Sequence, residues 1–206
     1  MSRKPVGRKM DPMSERTFSL SREEILLGLE KVNARLKSQG TRGELCLYGG
    51  ACMCLAFAAR SSTKDIDAVF EPAATIRKAA HDVAAEMGWS WNWLNDDVKG
   101  FVSTHGPDGT VLFCGGDFSH LTIHAAKPEY LLAMKVLAAR SGHSDDPAET
   151  AEMSVDLQDA VWLCGHLGFV SREQIVGEVL RYFPDREPPE RTQFFIEELL
   201  VILRLP

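Results

Sequence analysis

The chain has no apolar run approaching the ~18 residues that a membrane-spanning helix requires, so no membrane association is expected. No targeting segment stands out either. Residues 1–19 are polar, carry Arg3, Lys4, Arg8 and Lys9, and lack the apolar stretch of a signal peptide. They read as a mobile arm. Cysteine is sparse and odd in number: Cys46, Cys52, Cys54, Cys114 and Cys164 have no framework spacing. Cys52-Met53-Cys54 lacks the two-residue gap of a zinc knuckle, and no second pair completes four ligands. These residues read as reduced thiols used as small hydrophobes, which fits a cytoplasmic setting. Positive charge is in deficit, with a formal net charge of −6. That argues against wholesale coating of nucleic acid, although a local basic groove depends only on where charges sit. Internal repeats and low-complexity segments are also absent.

What is present is an ordinary globular composition, 45% hydrophobic and 25% charged, over 206 residues. That length holds one large domain or two small ones. Ser19 or Ser21, followed by Glu23 and Glu24, opens a helix over 22–38 with a stripe of Ile25, Leu26, Leu29, Val32 and Leu36. A strand is expected over 44–48, a small-residue helix over 51–59, a strand over 66–70, and a helix from Pro72 to the residue before Gly88. The stretch 89–102 reads as a loop leading into a short helix. Strands over 111–114 and 121–125 around Gly115-Gly116 predict a hairpin with a long loop. Beyond Pro128 the spacing turns helical: 130–140, 150–166, 171–182 and 189–203. The expected fold is therefore α/β (α+β): a twisted mixed sheet flanked by helices over 20–126, then a helical bundle over 127–206.

The most informative motif lies between the first two strands. An apolar strand runs into Gly49-Gly50, and fifteen residues later a second strand carries Asp65-Ile66-Asp67. Residues two apart on a strand share a face, so both carboxylates point the same way. Like charges held side by side raise each other's proton affinity. Mg²⁺ relieves that repulsion, because it takes hard oxygen ligands and keeps positions open for phosphates.

With Arg60-Ser61 between them, Gly49-Gly50 and Asp65-Ile66-Asp67 resemble the nucleotidyltransferase superfamily with the polymerase-beta-like fold. The later helices are similar to the AbiEii-type branch, the toxins of bacterial type IV toxin–antitoxin systems, and its domain-of-unknown-function relatives. The matching motifs are Lys135-Val136-Leu137-Ala138-Ala139 and Asp156-Leu157-Gln158-Asp159. This resemblance implies transfer of a nucleotide from an NTP to an acceptor hydroxyl, with tRNA or another RNA as acceptor and a cognate antitoxin protein as partner. Asp65 and Asp67 would hold Mg²⁺. Gly49 and Gly50 would admit the triphosphate close to the backbone, with Lys135 neutralising it. Arg60 and Lys64 would bind phosphate or acceptor, and Asp156 and Asp159 would accept a proton or orient Lys135.

Plainer readings stand beside each of these. Glycine pairs are common at strand-to-helix turns, Lys135 reads equally as a snorkelling surface lysine, and Asp156 with Asp159 reads as a helix's wet face. His120 and His124 share a strand face, but hydrogen-bonded histidines are commoner than ligands. One departure from the family matters: the strand over 121–125 offers no third carboxylate, Asp117 and Glu129 lying just outside it. A catalytically degenerate module that binds nucleotide, RNA or a partner protein is the alternative. A third reading is a subunit of an assembly, docking through Trp89, Trp91 and Trp93.

Overall fold

The computed structural model describes residues 18–103, 109–138, 153–186 and 188–204. Strand β1 (Leu20–Ser21) leads directly into α1 (Arg22–Ser38). Ser21 accepts a hydrogen bond from the Glu24 amide while the Glu24 carboxylate accepts one from the Ser21 N–H, a complete capping box. Then follow β2 (Gly43–Leu47), α2 (Gly49–Leu55), β3 (Ser62–Thr63), β4 (Ile66–Glu71), α3 (Ala73–Met87) and β5 (Leu94–Asn95). A 3₁₀ turn (Asp97–Gly100), β6 (Gly109–Gly115) and β7 (Phe118–Ala126) complete the α/β half. Helices α4 (Pro128–Ala138), α5 (Val155–Leu167), α6 (Arg172–Tyr182) and α7 (Glu190–Leu203) follow. No helix among the described residues is long and apolar enough to cross a membrane.

The fold is mixed α/β. The main sheet has the order β5-β4-β2-β7-β6, with β2 antiparallel to β4 and parallel to β7. β4 is parallel to β5, and β1 pairs with β3 in a separate two-stranded ribbon. Alternation along the strands gives the sheet two unlike faces. Leu45, Leu47, Ile66, Ala68, Phe70, Leu121 and Ile123 are buried on one face, which α1 and α3 cover. Cys46, Asp67, Val69, Thr122 and His124 occupy the other and are only half-buried. Over the end of that second face the aromatic hub around Tyr130 of α4 brings in the later helices. Its ring lies 6.1 Å from Tyr48, 4.9 Å from Tyr182 at right angles, and 5.7 Å from Phe183 in a stack. The buried side chains of both halves form one continuous core.

Several expected elements differ in extent. α2 begins at Gly49 rather than at 51, and ends at Leu55 because Arg22 Nη1 donates to the Cys54 and Leu55 carbonyls at 2.7 and 2.8 Å. The β6–β7 connection is tight rather than long: Gly115 and Gly116 take φ of 71° and 51°, which lets the chain reverse between Gly115 and its partner Phe118. The tryptophan segment contributes β5, a strand too short for periodicity to reveal. The arm expected over 1–19 lies outside the described residues up to 17; its last two residues are packed, Phe18 edge-on to Trp89 and Ser19 donating to the Thr63 carbonyl. Residues 139–152, which include the ends of two expected helices, also lie outside. All five cysteines are free, and burial pushes the Cys52 and Cys164 thiols up to about 12.

The three tryptophans do not share a surface. Trp93 is fully buried and donates its Nε1–H to the Ala80 carbonyl at 2.9 Å, Trp89 packs edge-on against it, and only Trp91 is exposed. Gly28 of α1 makes room for this cluster: a Cβ there would sit 2.6 Å from the Trp93 ring and 2.8 Å from that of Trp89. Replacing a helical glycine by alanine ordinarily stabilises by about 1 kcal/mol. Overpacking a core costs about 1–3 kcal/mol, so the sign reverses here. Gly28→Ala should lower the urea-unfolding free energy by up to about 2 kcal/mol, the overpacking cost less the helix-propensity gain, and a higher midpoint would contradict this packing.

Candidate functional site

β2 ends at Leu47, and the chain passes through Tyr48 into α2 beside the start of β4, where the Tyr48 N–H donates to the Asp67 carbonyl at 2.9 Å. Gly49 has φ of 51°, a left-handed conformation that favours glycine. A Cβ built there would lie 2.7 Å from Asp67 Oδ2, so the missing side chain is the space in which the carboxylate sits. Gly50 serves a different end. Its absent Cβ would meet Thr63 Oγ1 at 2.2 Å and Arg60 Nη1 at 3.0 Å, so it permits close packing of α2 on β3.

Asp65 and Asp67 are both half-buried. Burial raises the pKa of Asp67 above the ordinary carboxylate value, and the charge of Asp65 raises it further. A hydrogen bond from the Asn95 side chain and the charge of Lys135 work against that, while Asp97 adds to it. Asp65 is likewise raised, first by burial and then by Asp97, with Lys64 opposing. Asn95 is held for its role by its own turn, its Oδ1 accepting from the Asp97 N–H at 3.1 Å.

A cavity of about 510 Å³ opens on Asp67, within the range of small-molecule sites. Tyr48, Gly49, Asp67, Lys135 and Asp156 give it one polar wall; Leu131, Met134 and Phe183 give an apolar one. Sequence reasoning thus placed Gly49, Asp67, Lys135 and Asp156 at one cavity. Asp65 is not among its lining residues and reaches it only through its charge on Asp67. Lys64 is exposed and also lies outside the lining.

Arg60 and Asp159 form the support beneath it. Asp159, 2% exposed, forms an ion pair with Lys135 Nζ at 2.6 Å and accepts from Arg60 Nη1 at 3.3 Å. Lys135 Nζ also donates to Asp156 at 2.7 Å. Asp159 is therefore placed to orient Lys135 rather than to meet a ligand, and Arg60 ties the loop after α2 to α5.

Three polar lining residues escaped the sequence reading. Tyr48 has a buried hydroxyl with no oxygen or nitrogen partner; the Cys46 thiol is its polar neighbour, and burial raises its pKa. Arg186 and Arg191 reach the cavity from the α6–α7 connection and the start of α7. No motif marks them; the only signal was a pair of arginines flanking Pro188-Pro189.

Among the described residues no three His, Cys, Asp or Glu side chains converge as a metal site. His120 instead has its ring Nδ1 3.0 Å from Ser119 Oγ. The Asp65–Asp67 pair still fits Mg²⁺ by its donor chemistry: two hard, half-buried carboxylates two residues apart, with the cavity that Gly49 and Asp67 line open to phosphate oxygens. No protein-family model, curated protein or solved structure matches the chain.

Asp159→Asn should cost about 3 kcal/mol of stability, because it leaves two cations without their buried counter-charge. Asp156→Asn should cost less than about 1 kcal/mol, since half of that carboxylate is in water. Equal losses by chemical denaturation would contradict the support role.

The raised pKa values carry a signed prediction for the metal-free protein. Between the ordinary aspartate value of 3.8 and the raised folded values, the folded state binds more protons than the unfolded state. Stability contributed by these groups therefore falls as pH rises through that window and stays low above it. Asp67→Asn should raise the unfolding midpoint at pH 7 and flatten this dependence; a lower midpoint would contradict it.

Proposed function

We propose that the chain is a magnesium-dependent nucleotidyltransferase that moves a nucleotide from an NTP to an acceptor hydroxyl. The observation that carries this reading is the contact between the Asp67 carboxylate and the side-chain-free Gly49, facing a cavity shared with Lys135 and Asp156. An isolated protein gains nothing from two desolvated, mutually repelling carboxylates; a cation bridging them to a polyphosphate would offset that cost.

Asp65 and Asp67 would hold Mg²⁺. When bound, the ion supplies Lewis-acid polarisation of the α-phosphate and neutralises the departing pyrophosphate. Gly49 leaves the phosphate chain room to approach the backbone. Lys135, fixed by Asp159 below and Asp156 beside it, presents a positive charge without first losing side-chain freedom. The acceptor oxygen bonds to the α-phosphorus, the α–β phosphoanhydride bond breaks, and pyrophosphate leaves. Asp156, on the cavity wall and half in water, takes the hydroxyl proton. The apolar wall of Leu131, Met134 and Phe183 suits a nucleobase. On this reading the acceptor is an RNA 3′ hydroxyl such as that of tRNA, and a cognate antitoxin protein is the expected partner.

The second reading is a non-catalytic module that binds nucleotide, RNA or protein, favoured by the lack of a converging third carboxylate among the described residues. Pyrophosphate release separates the two. With each NTP, Mg²⁺ and an RNA panel, the wild type should release pyrophosphate. Asp67→Ala should lose at least about a hundredfold, the scale of 2.7 kcal/mol of transition-state stabilisation. Tight Mg²⁺-dependent NTP binding without any release would select the binding module.

A further inference from the structure

The cations around the cavity fall into two groups with different surroundings. Lys135 and Arg60 are committed to Asp156 and Asp159. Arg186 and Arg191 line the same cavity, are exposed, and pair with no carboxylate among the described residues, although Asp185 and Glu190 are their chain neighbours. Arg186 is held in place by packing: its guanidinium lies 5.3 Å from the centre of the Phe183 ring, which stacks on Tyr130. Arg191 stands in the first turn of the 14-residue helix α7, where the helix dipole disfavours a cation. Local helix energetics therefore do not account for it. Two guanidiniums and an exposed aromatic, Phe101, in the lining of one cavity match a phosphate-bearing ligand, since arginine offers fixed forks of donors to phosphate oxygens.

We propose that Arg186 and Arg191, both exposed residues of the cavity lining, form a phosphate-binding subsite. This rests on the nucleotidyltransferase reading for its place in a reaction but not for its chemistry. The phosphate belongs either to the nucleotide's own polyphosphate or to the phosphodiester backbone of the acceptor. In the shared lining Arg186 and Arg191 set two positive charges against Asp67 and Asp156, so an anion entering without a metal would settle at the arginines first.

The test is titration calorimetry on the full chain with two probes, inorganic tripolyphosphate and a single-stranded heptaribonucleotide, both in metal-free buffer. The proteins are the wild type, Arg186→Gln/Arg191→Gln, Arg186→Lys/Arg191→Lys and Arg181→Gln. Arg181 is the control: it too lies over an aromatic ring, that of Tyr182, but outside the cavity lining. The double glutamine variant should lose at least tenfold in affinity for one probe, with the lysine variant intermediate and Arg181→Gln unchanged. Loss for tripolyphosphate assigns the subsite to the nucleotide. Loss confined to the heptamer, with a salt slope shallower by about 0.7 for each phosphate released, assigns it to the acceptor. Equal affinities of wild type and double glutamine variant, or no wild-type binding of either probe, would overturn the proposal. The magnesium-dependent gain in NTP affinity, abolished by Asp67→Ala, reports on the nucleotidyltransferase reading separately and can fail while the subsite stands.

Discussion

Two carboxylates two residues apart are held partly out of water at the start of β4, and the protein does little to neutralise them. Burial raises both, Asp65 raises Asp67 further and Asp97 adds to each, while Lys64 at Asp65 and the Asn95 hydrogen bond with Lys135 at Asp67 oppose this. Such an arrangement is unfavourable for the folded chain alone. It persists because the neighbouring backbone leaves no alternative: the β2–β4 ladder fixes the strand, and the left-handed Gly49 leaves a gap shaped to the Asp67 carboxylate. The fold thus maintains a concentration of negative charge beside an opening, which is the physical requirement for holding a cation against a polyphosphate.

The second constraint is the buried Asp159. By pairing with Lys135 and Arg60 together it joins α5, α4 and the loop after α2 at one point. The later helices are therefore not an appendage to the sheet. They supply Lys135, Asp156 and the two lining arginines to a cavity whose floor is the end of β2. The aromatic contacts of Tyr130 with Tyr48, Tyr182 and Phe183 set that relation from the apolar side.

Much of this was legible in the residues. The helical stripe from Ile25 to Leu36, the Ser21–Glu24 cap and the alternation through Ile66, Ala68 and Phe70 are local signals, and the elements they specify formed where expected. The site residues Gly49, Asp67, Lys135 and Asp156 were legible as types of chemistry in a given order, and the fold brings them to one cavity. What was not legible depends on tertiary packing. Gly50 looked like a phosphate contact but clears space for Thr63, and Asp159, which read equally as a helix's wet face and as a partner orienting Lys135, is a buried counter-ion of Lys135. β5 is two residues long, below any periodicity. Arg186 and Arg191 sit about 120 residues from the aspartates in sequence and carry no motif.

On the proposed reading a divalent cation bridges Asp65, just ahead of β4, and Asp67 within it, beside Gly49. Anomalous diffraction from crystals grown with Mn²⁺ and a non-hydrolysable NTP tests this directly. The predicted result is a manganese peak within about 2.3 Å of oxygens from both Asp65 and Asp67, with phosphate oxygens filling the side next to Gly49. A peak elsewhere, or nucleotide bound with both carboxylates left uncoordinated, would contradict it.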